Sequence, residues 1–174
     1  MEEHWTILLD LDQTLVLTSA LLPLRQQRNW QQVYASFHLT ALPPGTQTFV
    51  QQARRFARLG VITTAPRAYA EKLLSYHHLN IQVIVAYHDT RLHKPDPAPI
   101  LEAMRRLRAS HEQCFYVGDT TEDILAAVGS QVVPIGLSWD GSLQDPQALS
   151  LAQAMCQSWG EVLTFIRNAI VAKE

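Results

Sequence analysis

The chain has 174 residues, 47% hydrophobic and 17% charged, which suits one globular domain with a sizeable core and excludes a disordered polypeptide. Its formal net charge of -2 leaves no general footprint for nucleic acid and no polybasic membrane anchor. The two cysteines, Cys114 and Cys156, lack metal-ligand spacing and lie in apolar surroundings, which predicts buried thiols in a reducing compartment. The acidic start MEEHW enters a strand pattern directly, and no apolar run has membrane-spanning length, so a cytoplasmic protein is expected.

In chain order, an apolar run from Trp5 ends in Asp10 and Asp12, one residue apart, followed by Thr14. Alternation along a strand sends both carboxylates the same way, so a positive group is expected between them. Residues 18–42 have helical character, with Leu22, Leu24, Trp30, Val33, Tyr34 and Phe37 able to form an apolar stripe. They read as a small helical cap inserted into a core made of residues 1–17 and 43–174. Pro43, Pro44 and Gly45 close the insert. A helix is predicted over 46–59, with Phe49, Ala53, Phe56 and Leu59 inward and Gly60 as its stop.

A short strand over 61–64 then ends in Thr63 and Thr64, and Pro66 opens a helix over 67–77. The third strand is predicted at 81–86, followed by a polar loop carrying Lys94 and a helix over 98–108. A fourth strand, 114–117, runs into Gly118 and Asp119. It precedes a helix over 120–129 with Ile124, Leu125 and Val128 buried, and a fifth strand over 132–135. Beyond Asp140 the pattern weakens until Ser158 and Glu161 make a capping box for a helix over 159–171.

Strands alternating with helices demand right-handed crossovers and a parallel sheet covered on both faces, an α/β doubly wound domain. Such sheets bind ligands at the carboxyl ends of their strands. Asp10, Asp12, Thr63, Thr64, Lys94 and Asp119 all fall at that edge. Singly, the threonines could be ordinary β-branched strand residues, and Asp119 and Asp123 ordinary helix-start carboxylates. His88 and His93 could suggest a zinc pair, but no third ligand has suitable spacing.

DLDQT, the VITT strand end, HKPDP and GDTTED, in this order, resemble the four motifs of the haloacid dehalogenase superfamily. The proline-proline-glycine and the Ala-Ala-x-Gly helix end are similar to its phosphoglycolate phosphatase-like branch. The resemblance implies a HAD-like Rossmannoid core and a magnesium-dependent phosphatase. Asp10 would be the nucleophile that takes the phosphoryl group, and Asp12 the general acid and base. The backbone carbonyl of Asp12 would also bind Mg2+, with Asp119 completing the site and Asp123 holding metal-bound water. Lys94 would offset charge on nucleophile and phosphoryl oxygens, Thr63 would donate its hydroxyl, and Thr64 and Arg67 would meet substrate.

Gln13 stands where many relatives carry glycine and must adopt the turn a glycine makes easily. The second aspartate, which dehalogenases lack, favours a small-molecule phosphate ester as substrate. A phosphomutase on the same core is the alternative within the superfamily. From a different class come a phosphoacceptor domain of the response-regulator kind, which would need an acceptor near Asp89, and a non-enzymatic partner-binding relative. The short insert would leave the site open to larger esters, within reach of Arg25, Arg28, Arg67 or Arg91.

Overall fold

A computed structural model of the chain describes residues 4–141 and 143–173. The first strand, β1 (Trp5–Asp10), is followed by the insert, in which a 3-10 turn leads to α1 (Leu22–Gln26) and α2 (Trp30–Ala35). The core resumes with α3 (Thr46–Ala53), β2 (Ala57–Ile62), α4 (Arg67–Tyr76), β3 (Val83–Val85) and α5 (Ala98–Leu107). It continues through β4 (Cys114–Gly118), α6 (Thr121–Gly129), β5 (Val133–Leu137), α7 (Pro146–Leu151), β6 (Ala154–Cys156) and α8 (Trp159–Val171). None of the helices among the described residues is long and apolar enough to cross a membrane.

All neighbouring strands pair in parallel, in the order β3-β2-β1-β4-β5-β6. The order therefore reverses between β1 and β4, and the crevice of this doubly wound sheet opens at their carboxyl ends. β1 is central and covered on both faces, which explains why Ile7, Leu8 and Leu9 form an unbroken apolar run with no exposure. Ile7 and Leu9 face the cluster built on α3, α4 and α8, while Leu8 faces the cluster of Ile100, Met104 and Ala126 on α5 and α6. Each such side chain contributes about 1.5–3 kcal/mol on burial.

Two expectations fail here for physical reasons. The apolar spacing at 49, 53, 56 and 59 mimics a helix, but α3 ends at Ala53 and β2 starts at Ala57. All six residues of β2 pair with β1, from Trp5 opposite Ala57 to Asp10 opposite Ile62, and that ladder outweighs local periodicity. Gly60 is thus a strand residue, not a helix stop. A Cβ there would lie 2.8 Å from a Leu8 methyl and 3.1 Å from one of Leu107, so glycine permits α5 to pack close. The weakly patterned stretch after Asp140 holds α7 and the edge strand β6, which the sequence reading passed over.

Between β1 and α3 the two helices α1 and α2 have five and six residues. Val33 and Phe37 are buried, and Trp30, Tyr34 and Leu24 pack against the same cluster. Leu22, by contrast, is 51% exposed and leaves the predicted stripe. On α6, Ile124 is buried, but Val128 is 40% exposed. Ser158 caps α8 as predicted, accepting from the backbone N–H of Glu161, whose own carboxylate reaches Gln157 instead of closing the box. Cys114 and Cys156 are free and buried, and burial pushes their thiols up to about 12 and about 11.

Candidate active site

A cleft of about 500 Å³ opens at the carboxyl ends of the strands, lined by Asp10, Asp12, Thr63, Thr64, Lys94, Asp119 and Asp123 among others. At its floor Asp10, the last residue of β1, accepts from Lys94 Nζ at 2.7 Å. The same ammonium reaches Asp123 at 2.6 Å and Tyr116 Oη at 3.1 Å, and only 7% of the Lys94 side chain is exposed. The positive group expected between two aspartates therefore exists, but it joins Asp10 to Asp123, not to Asp12. The peptide that follows Lys94, into Pro95, is cis.

Asp123 is held by its helix start. Thr120 caps α6, accepting from the Asp123 N–H, while Asp123 Oδ2 accepts from the backbone N–H groups of Asp119 and Thr120 at 3.2 and 3.1 Å. Its other oxygen takes Lys94 and the Tyr116 hydroxyl, at 2.8 Å. Gly118 makes this possible, since a Cβ there would fall in the volume that the Asp123 carboxyl group occupies. Thr14 donates to Asp119 Oδ1 at 2.9 Å, with Asp10 Oδ2 at 3.4 Å, and so ties the end of β1 to the end of β4.

Carboxylate oxygens of Asp10, Asp119 and Asp123 lie within 4.8 Å of one another. Two like charges about 4 Å apart repel by about 4 kcal/mol at an effective dielectric near about 20. Burial first, with the neighbouring carboxylates adding to it, pushes Asp10 and Asp119 above the ordinary range, while Lys94 pulls the other way. For Lys94, burial favours the neutral amine, but Asp10 and Asp123 prevail and hold the ammonium well above its ordinary value. Asp123 is moved down: burial opposes its charge, and Lys94 together with its hydrogen-bond donors overcomes that. Three acids against one buried lysine leave negative charge in excess, and hard oxygen donors suit a small divalent cation such as Mg2+. Asp123 has all its contacts to protein donors, so Asp10 and Asp119 are the better direct ligands.

Asp12 stands apart from that cluster. Its Oδ1 accepts from Thr18 Oγ1 and Arg25 Nη1 at 2.7 Å each and from Tyr69 Oη at 2.6 Å. The turn between the two aspartates and this rim depends on Gln13, which has φ +62° as the missing glycine demands. The left-handed backbone costs about 1–2 kcal/mol. Hydrogen bonds offset it: Gln13 N–H to Val16 at 2.7 Å, Thr18 N–H to Gln13 Oε1 at 2.6 Å, and Trp139 Nε1 to the Gln13 carbonyl at 3.0 Å.

Thr63 is buried beside the cleft and its Oγ1 accepts from the Ala65 N–H at 3.1 Å, which leaves the hydroxyl hydrogen to donate. Thr64 lies on the cleft wall and is exposed. Arg67 does not reach the cleft. Its guanidinium pairs with Asp89 at 2.5 Å and donates to the Ile84 carbonyl at 2.9 Å, beside β3. Arg25, named among several arginines by sequence, is the one on the cleft wall. Thr14, Thr18, Tyr69 and Tyr116 were not assigned roles from sequence, and only Thr14, within the first motif, carried a signal that could have found it.

The model of the haloacid dehalogenase-like hydrolases matches residues 23–136, which is more than half of the chain. The chain belongs to that family. The matched residues include Thr63, Lys94, Asp119 and Asp123 and begin beyond Asp10 and Asp12. Among relatives, a phosphoglycolate phosphatase of Photorhabdus laumondii is 25% identical over 145 residues, covering 78% of this chain and 62% of that protein. A putative pyrophosphatase, PpaX, of Caldanaerobacter subterraneus is 33% identical over 84 residues, 47% of this chain and 38% of its own length. The alignments with these two relatives thus span between 38% and 62% of their lengths. In three dimensions, a predicted phosphoglycolate phosphatase of Haemophilus somnus 129pt superposes with TM-score 0.76 at 19% identity, covering 95% of this chain and 99% of the other. CbbY of Rhodobacter sphaeroides, crystallised with phosphate, gives TM-score 0.77 at 18% identity, covering 92% and 96%. These likenesses establish the haloacid dehalogenase-like fold over nearly the whole chain.

Proposed function

We propose that the protein is a magnesium-dependent phosphatase that hydrolyses a small-molecule phosphomonoester through an aspartyl-phosphate on Asp10. The observation that carries this reading is the seat of Asp10, at the floor of a cleft, 2.7 Å from a buried lysine and beside two further acids, with Asp12 on the same cleft wall. A carboxylate oxygen of Asp10 attacks phosphorus while the bond to the leaving oxygen breaks and Asp12 delivers a proton to that oxygen. Water then attacks the aspartyl-phosphate, Asp12 takes its proton, and Asp10 and inorganic phosphate are regenerated. Lys94 offsets charge on the nucleophile and the phosphoryl oxygens, and the free hydroxyl hydrogen of Thr63 donates to one of those oxygens.

Mg2+ would be held by Asp10, Asp119 and the backbone carbonyl of Asp12, with Asp123 behind them, and would offset the repulsion between carboxylate and phosphate dianion. The contacts of Asp89 argue against a response-regulator reading, in which it would be the acceptor. It pairs with Arg67 at 2.5 Å and Arg106 at 3.5 Å and accepts from the Ala86 N–H at 2.6 Å. The test is phosphate release from a generic aryl phosphate, expected to require added Mg2+ and to stop when a chelator is present. Turnover that ignores the chelator would falsify the metal-dependent mechanism.

A further inference from the structure

The contacts on Asp12 are unusual in coming from two separate parts of the chain and meeting on one atom. Arg25 belongs to α1 of the insert and Tyr69 to α4 of the core, and both reach Oδ1, at 2.7 and 2.6 Å, beside Thr18. The guanidinium carbon of Arg25 also lies 4.7 Å from the centroid of the Tyr69 ring, so the two donors brace each other by a cation–π contact. Tyr69 is fully buried and ringed by Trp30 and Phe37, at centroid distances of 6.0 Å each, which fixes where its hydroxyl can point. A carboxylate oxygen has about two lone-pair directions, and here Oδ1 serves Thr18, Arg25 and Tyr69. The proton that Asp12 exchanges must then travel on Oδ2.

Resting on the phosphatase reading above, we infer that Arg25 and Tyr69 are positioning residues that clamp Oδ1 of Asp12, reserving Oδ2 to protonate the leaving oxygen, and that the clamp matters most for alkyl phosphomonoesters. The chemistry sets that substrate class. As the phosphorus–oxygen bond breaks, an alkoxide of high basicity must be protonated by Asp12, whereas a nitrophenolate leaves unprotonated with little penalty. Misplacing the acid therefore penalises alkyl esters and spares activated aryl esters. Arg25 belongs to the insert, so the insert would tune proton delivery as well as cover the cleft.

The experiment compares kcat/KM of the intact protein with those of Arg25→Gln, Arg25→Lys and Tyr69→Phe, across phosphomonoesters from p-nitrophenyl phosphate to simple alkyl phosphates. Tyr69→Phe keeps the buried ring and removes one hydroxyl, so it separates the clamp from packing, and thermal unfolding checks each variant's fold. Arg25→Gln is expected to lose about 10²-fold on alkyl esters, the cost of a misplaced catalytic group. It is expected to lose less than about threefold on p-nitrophenyl phosphate, because general acid assistance is the contribution being removed. Tyr69→Phe should follow the same trend, and Arg25→Lys should recover part of the loss. Equal losses across the series, or none, overturn the clamp while leaving the phosphatase reading intact. Failure of the intact protein to release phosphate from any ester overturns both.

Discussion

Asp10 and Asp12 are neighbours in sequence but belong to different neighbourhoods in space. Asp10 lies on the floor, where core elements alone supply its surroundings: Lys94 after β3, Thr14 after β1, Asp119 after β4 and Asp123 on α6. Asp12 lies on the rim, where Thr18 and Arg25 of the insert meet Tyr69 of α4. The floor is desolvated and crowded with like charge, so its electrostatics are strained until cations balance it. The rim is braced by neutral and positive donors on one oxygen. On the proposed mechanism, the nucleophile would depend on the sheet and the proton carrier on how the insert sits.

That contrast can be broken most severely at the floor. Asp10→Asn should lower kcat by about 10⁴-fold or more, as loss of a covalent nucleophile does in other enzymes, measured in a steady-state phosphate-release assay. At the rim, Asp12→Ala should cost about 10²–10⁴-fold, the usual share of general acid–base catalysis, with the larger loss on alkyl esters. Similar losses on aryl and alkyl esters would contradict a proton-carrying role.

Stability sharpens the difference further. Lys94→Ala strands Asp10 and Asp123 as buried charges, and chelator-treated protein should lose about 3–5 kcal/mol in denaturant unfolding. Gly118→Ala pushes on the Asp123 carboxyl group and should cost about 1–3 kcal/mol, with a parallel loss of metal affinity read by titration. The smallest effect is expected at the far edge of the insert, where His77 Nε2 lies 2.7 Å from Thr40 Oγ1. Burial, then the charge of His78, lowers the His77 pKa, so the folded state binds fewer protons than the unfolded one as pH falls. This contribution is present above about pH 6.5 and is lost as pH falls through the lowered folded value. A small drop in Tm on acidification, absent in His77→Gln, would place that sensitivity on the insert side.

The alternation of strands and helices along the chain, the parallel sheet and the convergence of Asp10, Asp12, Thr63, Lys94 and Asp119 at one edge were legible in the sequence. Each is a local signal, an apolar run ending in one polar residue, and doubly wound topology brings such ends together. Gln13 was legible too, as a non-glycine residue in a glycine's turn, and its φ of +62° agrees. The start of β2 was not, because an apolar spacing near the helical period cannot reveal that the same residues have a six-rung partner strand. Lys94 beside Asp10 was implied by the resemblance, but the partners of Asp12, Asp119 and Asp123 lay beyond reach. Thr14 meets Asp119 across 105 positions and Tyr69 meets Asp12 across 57, contacts set by packing and not by any motif. Arg67 follows the second strand closely enough to suggest substrate, yet Asp89 lies within 2.5 Å and takes its charge. The sequence by itself determined which chemical groups arrive at the sheet edge, since strand ends carry them there. Only the tertiary structure decided how they divide, because burial and long-range pairing set the lysine between Asp10 and Asp123 and left Asp12 to the insert.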